Sequence, residues 1–99
     1  QDSTAAMTTT NRGVGTWLED YSGEGKKKFY ALHQSLPEGS VIKVKHMLNN
    51  REVFVKVVGP LPDNDARGAI LKLSAGAAEY LGILDKRFLV EVTTHKAGS

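Results

Sequence analysis

The sequence predicts a small, mainly β protein, a barrel of short strands with one short helix. Runs of alternating apolar residues are separated by turn-forming residues along most of the chain, and a helix-like pattern occurs late, after residue 74. With 99 residues, the chain can bury only a single modest core. Strands do not alternate with long helices, so a barrel is favoured over a parallel sheet of βαβ units.

The strongest strand pattern is a hairpin in the middle of the chain. The run "VIKVKHM" is followed by "EVFVKVV", which places Val53, Val55 and Val57 on one face. Asn49 and Asn50 lie between the two runs and tolerate the left-handed backbone of a tight turn. We therefore expect the two runs to pair.

Three further strands and the helix complete the predicted elements. The runs "GVGTWLED", "AILKL" and "RFLVEV" have strand character. Between the last two lies "SAGAAEYLGI", in which Ser74 can cap a helix, Ala78 and Leu81 share an apolar face, and Gly82 follows the end.

The composition of the two chain ends predicts flexible segments on either side of one domain. Residues 1–12 are small, polar and threonine-rich without apolar periodicity, so burial would not repay the entropy of ordering them. We expect the barrel domain over residues 13–93 and a flexible tail over residues 94–99. The first segment also suggests that the domain is tethered to another part of a longer protein.

The composition argues against several functional classes. The formal charge of +2 is too small to favour a nucleic acid as partner, and no apolar run approaches the roughly 20 residues of a membrane helix. The absence of cysteine removes disulfides and thiolate metal sites. Neither His46 nor His95 has a spacing that suggests a metal, so we expect no metal and no other cofactor.

Three segments resemble successive motifs of one family: "ALHQSLPEGSVIKV", "NNREVFVKV" and "AILKLSAGAAEYLGI". They are similar to the RlpA-like (rare lipoprotein A) proteins of the bacterial envelope, over about residues 13–92. The resemblance implies a six-stranded double-psi β-barrel with one short helix, a groove that receives polysaccharide, and a periplasmic or extracellular location. Active relatives are lytic transglycosylases that cleave peptidoglycan glycan strands, whereas expansin-like relatives bind or loosen wall polymers.

The chain departs from this family at its acidic positions. Active relatives carry a Gly-Glu-x-x-Asp segment before the histidine, but here only Gly23 and Glu24 match, and Lys27 stands where Asp is expected. The family's Asn-Asp-Arg-Gly-Pro loop is replaced by "VVGPLPD", and the Asp before its Leu-Ser is replaced by Lys72. Of the family's functional residues, His33 and Glu24 carry over.

Glu24 and His33 are the candidate catalytic residues. Lytic cleavage needs an acid that protonates the leaving oxygen and a base that takes the sugar's hydroxyl proton, and Glu24 could do this with His33 orienting it. Three adjacent lysines favour the ionised form of Glu24, however, which opposes acid catalysis. His33 could instead contact sugar in the groove, or hold a structural hydrogen bond near the start of a barrel strand.

The candidate glycan-binding residues, besides His33, are aromatic or acidic. Trp17 offers a broad face that can stack on a sugar ring, although aromatic residues more often pack in the core or at a barrel end. Tyr21 and Tyr30 flank the glycine- and lysine-rich loop and could line a groove. Asp63 and Asp65 could replace the missing loop acid, or simply form the turn.

We interpret the sequence as a cell-wall domain that binds peptidoglycan or a related polysaccharide, with degraded or absent catalysis. One alternative is an active lytic transglycosylase that uses Glu24 and His33, and the other is a barrel that binds proteins instead of sugar. The binding domain and the active transglycosylase predict different results for one substitution. Glu24→Gln abolishes glycan cleavage by an enzyme but changes a binding domain only modestly.

Overall fold

The computed structural model is a closed barrel of six strands with one short helix. It describes residues 8–19, 28–62 and 67–95. In these ranges the strands are β1 (Thr8–Trp17), β2 (Tyr30–His33), β3 (Val41–His46), β4 (Glu52–Pro60), β5 (Ala69–Leu73) and β6 (Phe88–His95), and the helix α1 (Ala75–Tyr80) lies between β5 and β6. The predicted mainly β barrel with one short helix is confirmed.

The strands follow each other around the barrel in the order β1, β5, β2, β4, β3, β6, and β6 closes the barrel against β1. The pairs β1/β5 and β2/β4 are parallel, and the other four pairs are antiparallel. Within the described residues, each strand pairs with a neighbouring strand on both of its sides, so the barrel is closed. This order also brings β2, β4 and β5 together, although they are far apart in the chain.

The predicted hairpin is confirmed as β3 and β4. Its register aligns Ile42 with Val55 and Val44 with Val53. Asn50 has a φ of 63°, the left-handed conformation that asparagine tolerates. Because side chains alternate along a strand, Val53, Val55 and Val57 of β4 are all buried.

The barrel interior is a packed apolar core. Inward-facing residues of β3, β4, β5 and β6 fill it, and eight of the largest buried side chains are at most 1% exposed: Ile42, Val44, Val55, Val57, Leu71, Leu73, Val90 and Val92. Fully burying one Val, Leu or Ile side chain contributes about 1.5–3 kcal/mol. The interior is therefore occupied, and any ligand must bind at an end or on the outer surface.

Helix α1 packs across one end of the barrel and is capped as predicted. Ser74 is the N-cap, and its hydroxyl accepts a hydrogen bond from the Ala77 backbone N–H at 3.3 Å. Ala78 and Leu81 are buried in the core, which confirms their shared apolar face. Gly82 follows the C-cap with a φ of 74°, a conformation that suits glycine.

Strand pairing extends beyond the boundaries that composition suggested for the domain. β1 begins at Thr8 and pairs with β6 from Thr8 opposite His95 to Gly15 opposite Phe88. Residues 8–12 are polar and have no alternating apolar pattern, so their composition does not predict a strand. They are ordered by backbone hydrogen bonds to β6. Residues 1–7 and 96–99 of the two predicted flexible segments lie outside the described residues.

Candidate functional site

His33 ends β2 and is buried at one end of the barrel. It pairs with Leu71 of β5 and with Pro60 of β4. The alternation along β2 places it on the same inward face as Ala31, and the residue is only 6% exposed. The neighbouring strands therefore fix its backbone on both sides.

The His33 ring is oriented by the turn that follows it. Its Nδ1 accepts hydrogen bonds from the backbone N–H groups of Ser35 and Leu36, at 3.1 and 3.2 Å. An Nδ1 that accepts two N–H groups cannot carry a proton, so the ring is neutral with its proton on Nε2. The backbone oxygen of His33 also accepts a hydrogen bond from Leu61 N–H at 3.0 Å, which ties β2 to the end of β4.

Burial lowers the pKa of His33 below its ordinary value of 6.5, because desolvation disfavours the charged imidazolium. The ring is thus neutral at neutral pH, in agreement with the two hydrogen bonds at Nδ1. A neutral imidazole of this tautomer can donate one hydrogen bond from Nε2. It holds no acidic proton of the kind that protonates a departing sugar oxygen near pH 7.

Trp17 ends β1 at the barrel end that carries α1. Its indole N–H donates to the backbone oxygen of Asp85 at 3.1 Å. The ammonium of Lys86 lies 4.3 Å from the centre of the indole ring and also donates to the Trp17 backbone oxygen at 2.8 Å. Trp17 further packs against the core and lines a cleft of about 240 Å³ beside Ala75 and Ala78 of α1. The indole is held in place, with a cation over its ring.

Tyr30 begins β2 on the outward face of that strand. It is half-buried and lies opposite Lys56 of β4. Its backbone is held by Ser74, since its N–H donates to the Ser74 hydroxyl at 3.2 Å and its oxygen accepts from the Ser74 N–H at 2.8 Å. The start of β2 is thereby fixed to the start of α1.

Comparison with known proteins identifies the family. No family model matches the chain. The chain is 38% identical, over 85 residues, to the protein named "Probable endolytic peptidoglycan transglycosylase RlpA" of Aquifex aeolicus (strain VF5). The match covers 74% of this chain and 35% of that relative. The chain belongs to the RlpA-like family. This RlpA-like chain spans about a third of the length of the curated relative it matches.

The described candidate residues of the RlpA-like barrel lie at different positions along its strands. Trp17 and Ala31 both pair with Leu73, so Trp17 and Tyr30 lie towards the end with α1. His33 is three residues further along β2, about 10 Å at roughly 3.3 Å per residue. Four other candidates, namely Tyr21, Glu24, Asp63 and Asp65, lie outside the described residues, so the partnership of Glu24 with His33 stays a prediction.

Lys86 is a neighbour of the candidate residue Trp17 that sequence reasoning missed. It lies 69 positions from Trp17 in the chain, and no motif links the two residues. Over the described ranges, no group of three His, Asp or Glu residues could hold a metal ion. In those same ranges, no helix is long and apolar enough to cross a membrane.

Proposed function

We propose that this RlpA-like domain binds the glycan strands of peptidoglycan in the bacterial envelope and does not cleave them. The family membership and the name of the Aquifex relative support peptidoglycan as the ligand. The observation that carries the proposal is the state of His33, a neutral ring whose Nδ1 is occupied by two backbone N–H groups.

His33 acts in this proposal as a hydrogen-bond donor to the glycan. Its Nε2–H would donate to a sugar hydroxyl or to the carbonyl oxygen of an N-acetyl group, both of which are neutral acceptors. The turn fixes the ring before the ligand arrives, so little rotamer freedom is lost on binding. Trp17 and Tyr30, towards the other end of the barrel, would contact sugars further along the same strand.

The loss of catalysis follows from the shortage of acids. Glycan cleavage needs a group that protonates the leaving oxygen, and a neutral His33 with a lowered pKa does not supply that proton near pH 7. Lys72, at a position where active relatives carry Asp, lies opposite Leu32 of β2 and Thr16 of β1. A cation there favours an ionised form of any nearby carboxyl group, which is the wrong form for an acid.

An active lytic transglycosylase is the second candidate function. The name of the Aquifex relative favours it, and Glu24 would be the acid. The two functions differ in one product, because a lytic transglycosylase releases anhydro-sugar fragments and a binding domain does not.

The test combines sedimentation with purified sacculi and mass spectrometry of the soluble fraction, for the parent and for Glu24→Gln, His33→Asn and His33→Gln. In His33→Asn the side-chain oxygen can still accept from the Ser35 and Leu36 N–H groups, but the donor at Nε2 is gone. His33→Gln has the opposite defect, since it keeps a donor near Nε2 and leaves the turn without its acceptor.

We expect the parent to sediment with sacculi without releasing anhydro-sugars. His33→Asn should stay folded and bind about tenfold more weakly, the equivalent of roughly 1.4 kcal/mol. His33→Gln should unfold at lower urea concentration, because the partly buried N–H groups of Ser35 and Leu36 lose their acceptor. The loss of an intramolecular hydrogen bond costs about 0.5–1.5 kcal/mol. Anhydro-sugar release by the parent but not by Glu24→Gln would establish the enzyme instead. Failure of the parent to sediment would direct the search to protein partners.

A further inference from the structure

A second cleft, of about 400 Å³, lies between the end of β3 and the start of β6. We name it the β3–β6 cleft, and it is lined by His46, Met47, Leu48, Asp85, Arg87, Phe88 and Leu89. It shares no lining residue with the cleft beside Trp17. His33 lies opposite Pro60, the last residue of β4. The end of β3 instead lies at the start of β4, because Lys45 pairs with Glu52. The β3–β6 cleft and the His33 ring are therefore at opposite ends of the barrel.

Two leucines project from the rim of the β3–β6 cleft. Leu48 is 87% exposed in the turn after β3, and Leu89 is 62% exposed on β6. Strand pairing holds them near each other, because the Met47 N–H donates to the Leu89 backbone oxygen at 3.1 Å. Below them, the buried Phe88 ring meets the buried His46 ring edge-on, with 5.9 Å between the ring centres. Neighbouring exposed leucines beside a cleft are typical of a surface that binds a partner.

The β3–β6 cleft also carries one acid and one base. Asp85 and Arg87 both line it, and neither makes an ion pair with another residue of the described ranges. Arg87 donates from one nitrogen to the Arg67 backbone oxygen at 2.7 Å, and a guanidinium has five N–H groups in all. Lys86, between them in the chain, is paired with the Glu19 carboxylate at 3.1 Å. The acid and the base balance each other in charge, and each can still pair with a group on a partner.

These features favour a second copy of the same chain as the partner. A sugar presents hydroxyl groups that leucine side chains cannot hydrogen-bond, and balanced charges do not attract a polyanion. A surface with one acid, one base and two projecting leucines is complementary to itself about a twofold axis. In that arrangement Arg87 of one copy meets Asp85 of the other, and the reverse pair forms at the same time.

We propose that the domain forms a weak symmetric dimer through the β3–β6 cleft. Leu48 and Leu89 of each copy pack into the cleft of the other, and two ion pairs between Asp85 and Arg87 close the rim. Seven residues line the cleft, whereas stable interfaces use about 20–30 residues on each side, so we expect a dissociation constant on the order of 0.1 mM. Because His33 lies at the far end of each copy, the dimer would carry two separate glycan sites, a consequence that rests on the proposed function.

Sedimentation equilibrium of the domain alone tests the dimer, for the parent at several concentrations and for variants of the cleft. Leu48→Gln and Leu89→Thr remove apolar surface at exposed positions. Val41→Thr is the matched control, because Val41 is 58% exposed at the start of β3, at the other end of that strand from the cleft. Circular dichroism melting confirms that each variant is folded.

Two charge variants test the symmetric pairing. Asp85→Lys and Arg87→Glu each leave two like charges in the cleft, so neither variant can pair with itself. A mixture of the two restores both ion pairs, because one copy then carries two cations and the other carries two anions.

We expect the parent and Val41→Thr to dimerise alike at about 0.1–1 mM, and Leu48→Gln and Leu89→Thr to associate about tenfold more weakly. Asp85→Lys and Arg87→Glu should each stay monomeric alone and form a dimer when mixed. A parent that is still monomeric at about 1 mM, or a mixture that associates no better than its components, would overturn this inference. Binding to sacculi tests the proposed function separately, so a monomer that still binds them would leave that function standing.

Discussion

A single ring, that of His33, carries both a structural and a proposed functional task. Nδ1 closes the turn after β2 by accepting two backbone N–H groups, and Nε2 carries the proton that we assign to glycan binding. Because the two nitrogens have separate partners, the tasks can be separated by substitution. Asparagine can reproduce the acceptor and glutamine the donor.

His33 should make the stability of the domain fall in mild acid. Burial lowers the pKa of the folded ring below 6.5, so the unfolded chain takes up a proton at a higher pH than the folded one. The stabilisation from the neutral ring is therefore fully present above about pH 6.5 and is lost as the pH falls through the lower folded pKa.

The measurement is the free energy of unfolding in urea, for the parent and for His33→Asn, at pH values from about 5 to about 8. Asparagine does not titrate in this range, so the variant reports the remaining groups of the protein. We expect the parent to lose more stability than His33→Asn between neutral pH and pH 5. Two parallel pH profiles would show that His33 does not contribute this dependence.

At the scale of elements, Ser74 joins the helix to the barrel. It is fully buried, and its hydroxyl accepts from the N–H groups of Ala77 and Tyr30 while donating to the Lys28 backbone oxygen at 2.8 Å. One small side chain thus caps α1 and anchors the residues that lead into β2. The position of Tyr30 depends on this contact.

Ser74→Ala should destabilise the domain by roughly 1–3 kcal/mol, since it removes a helix cap and leaves buried backbone groups without partners. Equilibrium denaturation in urea measures the loss. Ser40→Ala is the matched control, because the Ser40 hydroxyl donates to the Pro37 oxygen in an exposed turn. We expect the control to change stability by less than about 0.5 kcal/mol. Similar losses in both variants would contradict the anchoring role of Ser74.

The sequence predicted those elements whose local residue pattern matches the side of the element that is buried in the fold. The hairpin was predictable because Val53, Val55 and Val57 alternate on a half-buried sheet, and the helix because Ser74 and Gly82 mark its two ends. β2 carried no such signal, since four residues are too few to establish a period. Its place in a six-stranded barrel came from the family resemblance alone.

The candidate site was less predictable than the fold. The family resemblance pointed to His33, but the acceptor role of its Nδ1 depends on backbone geometry in the following turn. The cation over Trp17 comes from Lys86, which only the closure of the barrel brings near. β1 also contains an irregularity between Val14 and Gly15, which breaks the alternation that the pattern implies there.

At the scale of the whole molecule, the barrel is closed by the first strand and the last. β1 pairs with β6 over eight cross-strand positions, and five of these lie within residues 8–12. Arg12 adds an ion pair with Glu91, in which its Nε donates at 2.9 Å. The polar start of β1 is therefore part of the closure and not only a lead into the domain.

A chain that begins at Gly13 should be less stable than one that begins at Thr8. The shorter chain loses five cross-strand pairs. Antiparallel pairing supplies about one backbone hydrogen bond for each pair, so at about 0.5–1.5 kcal/mol for each bond we expect a loss of roughly 2.5–7.5 kcal/mol. The midpoints of urea unfolding for the two chains measure the difference. Equal midpoints would mean that the strand pairs from Gly13 onward are sufficient to close the barrel. The domain boundary that was predicted from composition would then be correct.

The antiparallel closure also determines how the barrel responds to tension. Thr8 lies beside His95, so the chain enters and leaves the barrel at the same corner. The hydrogen bonds between antiparallel strands run perpendicular to the strands, and a pull on these two ends would load them one at a time, starting from that corner. A barrel loaded in this way separates at low force, whereas opposed pulling along a strand would load many bonds together. The domain therefore resists force least when it is pulled by the start of β1 and the end of β6.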